Sequence, residues 1–206
     1  MSIRLLLDGH NFSRASHTLR SAGVDMALRE VVVTLDSAKT VLVPAYLCEE
    51  GVEAAYLRFG GVGAGAGERV VHSEKRGDVV AIMAVNEQVA ELIGEMTQRS
   101  RAAVRYSSPL LEMARGGDRR LVNIFLTASN AYIVVWDKGL RYAEVLPDAS
   151  PDSVLYYLQT LTDEFRLRKF EIRIGGVGAE AVVAVARDYY NKVRPIKFRW
   201  YEDSWW

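Results

Sequence analysis

The order of apolar runs along this chain repeats once, and that repeat limits the fold more than any single motif does. In the first stretch, strand-like runs cover residues 3–7, 12–19 and 28–35, with a short fourth at 41–43. A helical stripe follows over 48–59, carried by Cys48, Val52, Ala55, Tyr56 and Phe59. Residues 79–85 form a nearly continuous apolar run, the mark of a buried strand. Asn86 then caps a helix with Val89, Leu92, Ile93 and Met96 on one face, and 102–106 reads as a closing strand. The second stretch has strands at 121–126, 132–136 and 140–146, and a helix carrying Val154, Leu158, Leu161 and Phe165. A strand at 170–174, a helix over 180–193 and a strand at 196–201 complete it. Each half therefore reads as three strands, helix, strand, helix, strand. The correspondence reaches single positions: 7–11 lies opposite 126–130, 80–85 opposite 170–175, and 101–106 opposite 194–199. Internal repetition of this kind predicts an α/β fold built from two like halves, residues 1–117 and 118–206. The first half carries a Gly-rich insertion near 60–78.

Local signals fill in the joints. Asp8-Gly9 is a strong turn dipeptide and predicts a hairpin after the first strand, with 12–19 returning antiparallel. Ser108-Pro109 and Ser150-Pro151 each place a capping hydroxyl before a first-turn proline. The run from Gly61 to Gly67 has the composition of a flexible loop and lacks the Gly-Lys-Ser/Thr ending of a phosphate loop. Gly176-Val177-Gly178-Ala179-Glu180-Ala181 satisfies the loose dinucleotide pattern, but only one further strand follows, too little for a dinucleotide-binding fold.

Composition excludes several classes. The 206 residues include 26 Lys or Arg and 26 Asp or Glu, and a net charge of zero argues against a dedicated DNA-binding domain. Cys48 is the single cysteine, so neither an internal disulfide nor a cysteine metal cluster is available, which suits a reducing, cytoplasmic setting. Asp8 and His10 interrupt the first apolar run, unlike a signal peptide, and no apolar stretch reaches 18 residues, so no membrane contact is expected. His10, His17 and His72 lack metal-ligand spacing, and there is no nucleophile elbow. From Arg166 to Tyr201 nine basic residues face three acidic ones with aromatics interleaved, a mix able to grip phosphates and stack bases. The neutral whole chain favours a solvated edge there instead.

Several short motifs carry a family likeness. Leu7-Asp8-Gly9, Val41-Leu42-Val43-Pro44, Tyr56-Leu57-Arg58-Phe59, Leu155-Tyr156-Tyr157 and Gly175-Gly176 resemble a bacterial group, domain-of-unknown-function family 3822, over nearly the whole chain. The resemblance implies the actin-like ATPase superfold, with duplicated ribonuclease H-like halves. It also implies where a nucleotide would sit. Actin-like ATPases hold phosphates with a strand-turn-strand loop in each half, small residues letting backbone amides approach and an Asp at each turn holding Mg²⁺. Asp8 and Gly9 match the first loop, whereas Thr127 and Ala128 stand where the second acid and glycine belong. Gly175 and Gly176 match the adenosine corner. As plain chemistry, Asp-Gly is also the commonest hairpin turn and Gly-Gly a common strand-to-helix corner.

The candidate cofactor-binding set is thus Asp8, Gly9, Thr127, Gly175 and Gly176, with no catalytic or metal residue assigned. The expectation is a non-catalytic, degenerate actin-like module needing no cofactor, which works through an unknown protein partner or as a homodimer. The alternatives are a weak ATPase using ATP and Mg²⁺, and a nucleic-acid accessory protein using the basic C-terminal third. Trp205-Trp206 at the end either tucks onto the core or meets a partner.

Overall fold

Leu5 and Leu7 bury one face of the first strand, while Arg4 stands on the other face beside the buried Leu6. The computed structural model describes residues 2–22, 29–100, 103–114, 119–198, 200 and 204–205. By its contacts the chain divides into two units, Met1–Glu112 with Trp200–Trp206, and Met113–Arg199.

The first unit begins with β1 (Ser2–Asp8), α1 (Phe12–Ser21), β2 (Glu30–Asp36) and β3 (Thr40–Pro44). There follow α2 (Glu53–Phe59), β4 (Glu68–His72), β5 (Val79–Asn86), α3 (Glu87–Ser100), β6 (Ala103–Ser107) and α4 (Pro109–Met113). The second unit holds β7 (Leu121–Leu126), β8 (Ala131–Trp136), β9 (Leu140–Leu146) and α5 (Pro151–Phe165). It continues through β10 (Glu171–Gly176), α6 (Ala179–Ala186) and β11 (Val193–Pro195), and β12 (Ser204–Trp205) then rejoins the first unit.

In the first unit a parallel sheet runs in the order β12-β1-β2-β6, beside an antiparallel sheet β3-β5-β4. Strand β5 is buried on both faces. Ala81, Met83 and Val85 join the core formed with Leu5, Leu7, Val33, Leu35 and Ile93, while Val80, Ile82 and Ala84 pack with Val43 and Leu57. In the second unit β7, β8 and β9 form an antiparallel meander, and β10 and β11 extend it in parallel with β7, in the order β11-β10-β7-β8-β9. All six residues of β7 are buried, as befits a central strand. Helices α5 and α6 lay Val154, Leu158, Leu161, Val182, Val183 and Ala186 on that sheet.

The second unit follows the expected order of three strands, helix, strand, helix, strand. The first unit does not, and the departure starts at one turn. Residues 12–19 lie in helix α1 and not in a returning strand, because Asn11 caps it, its Oδ1 accepting the Arg14 amide at 3.1 Å. The Asp8-Gly9 turn therefore joins a strand to a helix, and β2 pairs parallel to β1. Leu28, expected at the start of β2, lies outside the described residues.

Other boundaries also move. The helix expected over 48–59 is confined to α2, and Cys48 is half-buried against the Val43 and Leu57 cluster. Strand β4 lies within the expected 60–78 insertion and pairs with β5. Helix α6 ends at Ala186, and among the described residues the last strand of the second unit is β11, with 196–198 outside any strand and 199 and 201 outside the described residues. Trp205 pairs with Leu5 through β12, while Trp206 lies outside the described residues.

Candidate functional site

Asp8 ends β1, and its carboxylate organises the turn that follows. Oδ1 accepts the amides of His10 at 3.0 Å and Asn11 at 2.9 Å, and the Arg14 guanidinium lies 3.5 Å from Oδ2. Gly9 is wedged between strands: its amide donates to the Asp36 carbonyl and its carbonyl accepts from Asn86, both at 2.8 Å. A Cβ there would stand 3.0 Å from the Asp36 carbonyl oxygen and 3.1 Å from Val85 Cγ1, so the close approach of β2 and β5 calls for glycine.

Next to this turn lies a polar cluster that the sequence pattern had not joined. His10 Nε2 lies 2.9 Å from Ser37 Oγ, and His10 Nδ1 lies 3.5 Å from Glu68 Oε1. Ser37 Oγ donates to the Ala84 carbonyl at 2.7 Å and accepts the Lys39 amide at 3.1 Å. With its own proton so placed, the Ser37 oxygen is an acceptor for the Lys39 amide and for His10 Nε2 when that nitrogen carries a proton. Lys39 Nζ and the Gly65 amide donate to Glu68 Oε2, at 2.7 and 2.6 Å. Burial pushes the Glu68 carboxyl up, but the Gly65 amide, Lys39 and His10 outweigh it and hold the group below its ordinary value. Serine, histidine and glutamate in this order resemble a nucleophile, a base and its orienting acid. The likeness stops at access: Ser37 is fully buried and its hydroxyl proton is committed to Ala84. The Gly-rich loop and β4 bring Glu68 to His10, a long-range closure that leaves no spacing signal in the sequence.

Thr127, Gly175 and Gly176 come together at one edge of the second unit. Thr127 follows β7 and is buried. Its Oγ1 accepts the amides of Ser129 at 3.3 Å and Asn130 at 2.9 Å and donates to the Asn130 carbonyl at 3.3 Å. The hydroxyl is thus the tie of its own turn. Gly176 sits opposite Leu126 in the β7–β10 register with φ of 101°, and a Cβ there would clash with the Leu126 backbone. Gly175 would set a Cβ against the Ile196 carbonyl and 3.0 Å from the Phe198 ring. The Val177 amide donates to the Leu126 carbonyl at 2.9 Å. Both glycines are explained by packing within their own unit.

Each turn uses its own side chain: Asp8 Oδ1 accepts two amides and its Oδ2 faces the Arg14 guanidinium, while the Thr127 hydroxyl ties the turn after β7. Among the described residues no group of three or more His, Cys, Asp or Glu side chains is placed to hold a metal ion. The basic C-terminal third is partly neutralised, since Arg173 and Arg194 both pair with Glu171, at 2.8 and 3.0 Å. Its aromatics divide: Tyr190 and Phe198 are buried, and Tyr189 is exposed. No described helix is long and apolar enough to cross a membrane.

Solved structures show what this architecture is similar to. A Bacteroides thetaiotaomicron protein with an actin-like ATPase fold and unknown function matches at 14% identity and a TM-score of 0.65, over 81% of this chain and 68% of that one. A chain of the PilM–PilN type IV pilus biogenesis complex matches at 14% identity and a TM-score of 0.54, over 97% of this chain and 79% of that one. At such identity the likeness shows the fold alone, and that fold is actin-like. No protein-family description and no curated protein matches the chain, so family 3822 stays a resemblance.

Proposed function

We propose that this chain is a non-catalytic module of actin-like fold, of the kind found in family 3822, that acts through contacts with other proteins. One observation carries the reading: the two side chains standing where phosphate-loop acids would be, Asp8 and Thr127, are both engaged in tying their own turns. Neither needs a nucleotide to account for it, and the module requires neither ATP nor Mg²⁺. The likeness to a chain from a two-protein pilus complex supports a role in assembly, with a different protein or a second copy of this chain as partner. The single Cys48, half-buried, suits work in the reducing cytoplasm.

A second reading keeps a live nucleotide site. Asp8 and Asp36 end adjacent parallel strands in register, at the carboxyl edge where α/β sheets take ligands. Calorimetric titration with ATP and Mg²⁺, of the wild type and an Asp8→Ala variant, separates the two. The proposal expects no heat that depends on Asp8, so that the two proteins titrate alike. Saturable binding by the wild type that Asp8→Ala abolishes would overturn it in favour of the nucleotide site.

A further inference from the structure

One face of the parallel sheet in the first unit is charged. Arg4, Val32 and Arg105 stand in register across β1, β2 and β6, opposite the face that buries Leu5, Val31 and Val33. Glu112 of α4 lies against this face with only 2% of its side chain exposed. Its Oε1 accepts from the Ser107 hydroxyl at 2.6 Å, stands 3.0 Å from Arg4 Nη1, and is paired with Arg76 Nη1 as well. One buried carboxylate oxygen thus stands within ion-pair reach of one nitrogen of each of two guanidiniums, and both of those buried nitrogens lack a hydrogen-bond acceptor among the described residues.

Arg4 and Arg76 also line a cavity of about 490 Å³, together with Lys75, Arg105, Glu30 and Tyr106. That volume is within the range of small-molecule sites. Arg105 is neutralised by Glu30 at 2.7 Å and Glu74 at 3.3 Å, whereas among the described residues Arg4 and Arg76 share the one acid Glu112. Each guanidinium carries five N–H donors, and Glu112 engages few of them. Both side chains stay partly exposed, at 23% and 28%. With Lys75 included, four cations meet three carboxylates around the cavity among the described residues, an excess of one positive charge.

Two features set the ligand class. The guanidiniums are ordered by folding, so the entropy of fixing them is not charged to binding. A tetrahedral oxyanion offers enough acceptor oxygens for two guanidinium forks at once, whereas a planar carboxylate matches one. We propose that this cavity binds the phosphate group of a small molecule, with Arg4 and Arg76 as the paired receptor and Lys75 at its rim. Glu112 is the positioning residue that aligns them.

The test is calorimetric titration of the full chain at low salt with inorganic phosphate and with glycerol 3-phosphate. The wild type is expected to bind both saturably at one site. Arg76→Gln weakens binding by about tenfold or more, since it removes a hydrogen-bonding cation. The exposed Lys75→Glu, which leaves the interior untouched, also weakens it. Glu112→Gln adds a unit of positive charge locally but frees both guanidiniums, and its affinity falls. Asp8→Ala binds as the wild type does, so this outcome stands apart from the nucleotide titration. The proposal fails if the wild type shows no saturable heat, if Arg76→Gln and Lys75→Glu bind unchanged, or if Glu112→Gln binds more tightly. It fails too if a single-stranded oligonucleotide binds while both small phosphates do not.

Discussion

Asp8 and Asp36 close neighbouring parallel strands directly opposite one another, and the carbonyl of Asp36 accepts the Gly9 amide at 2.8 Å. The first acid is thereby fixed at the entrance to α1, where it caps amides. Asp8→Ala is expected to destabilise the protein by about 0.5–2 kcal/mol, the usual range for losing a capping side chain. Asp8→Asn keeps an acceptor oxygen and loses clearly less. Urea unfolding of the two variants checks this, and equal losses would mean that the charge matters more than the turn.

Gly176 and Gly178 both have positive φ, 101° and 71°, yet only Gly176 would clash on gaining a Cβ. Gly178→Ala should cost about 1–2 kcal/mol from left-handed strain alone. Gly176→Ala adds a collision with the Leu126 backbone and should cost more than about 3 kcal/mol, beyond the usual span of single substitutions. Denaturant midpoints rank the pair.

The acid limb of stability should report Glu112. Burial pushes its carboxyl up, but the Ser107 hydroxyl, Arg76 and Arg4 outweigh burial and hold it below its ordinary value. A folded-state value below the unfolded one means that the contribution is present above the unfolded value, about 4.3, and fades as pH falls through the folded one. Unfolding free energy measured from neutral pH downward should therefore drop below about pH 4 in the wild type and follow a shallower slope in Glu112→Gln.

Phe59 is 96% exposed at the end of α2. Phe59→Ser should change the unfolding free energy by less than about 0.5 kcal/mol, as surface substitutions do. A larger loss that grows with protein concentration would show that the ring is covered in a self-associated form, and sedimentation velocity would then resolve a dimer in the wild type.

Much of the second unit is legible because its signals are local. Strand β7 is apolar at all but Asn123, β8 follows after a short turn, and Ser150-Pro151 marks the start of α5. The first unit was misread at a position with two signals in competition. Asp8-Gly9 suggested a hairpin, yet Phe12, Ala15 and Leu19 already stood at helical spacing behind the cap Asn11. Strand β4 was hidden by its length and its neighbours, since Arg69-Val70-Val71 follows a glycine-rich run and gains its partner only from β5. The candidate site divided in the same way. Asp8 and Thr127 could be found by position in a turn, but their use as turn ties depends on which amides fold back onto them. Glu112 and its two arginines were invisible for a different reason, being drawn from positions 4, 76 and 112 by pairings between distant segments.

The short strand β12 gives the chain an order of completion. The second unit is one unbroken stretch, so every strand it needs has been synthesised before the first sheet receives its last member. Until Ser204 and Trp205 arrive beside Arg4 and Leu5, that edge of β1 shows open backbone donors and acceptors, a template on which another chain could pair. Ser204 and Trp205 thus cover that edge, and a chain cut short just before them should keep both cores yet be more prone to aggregation.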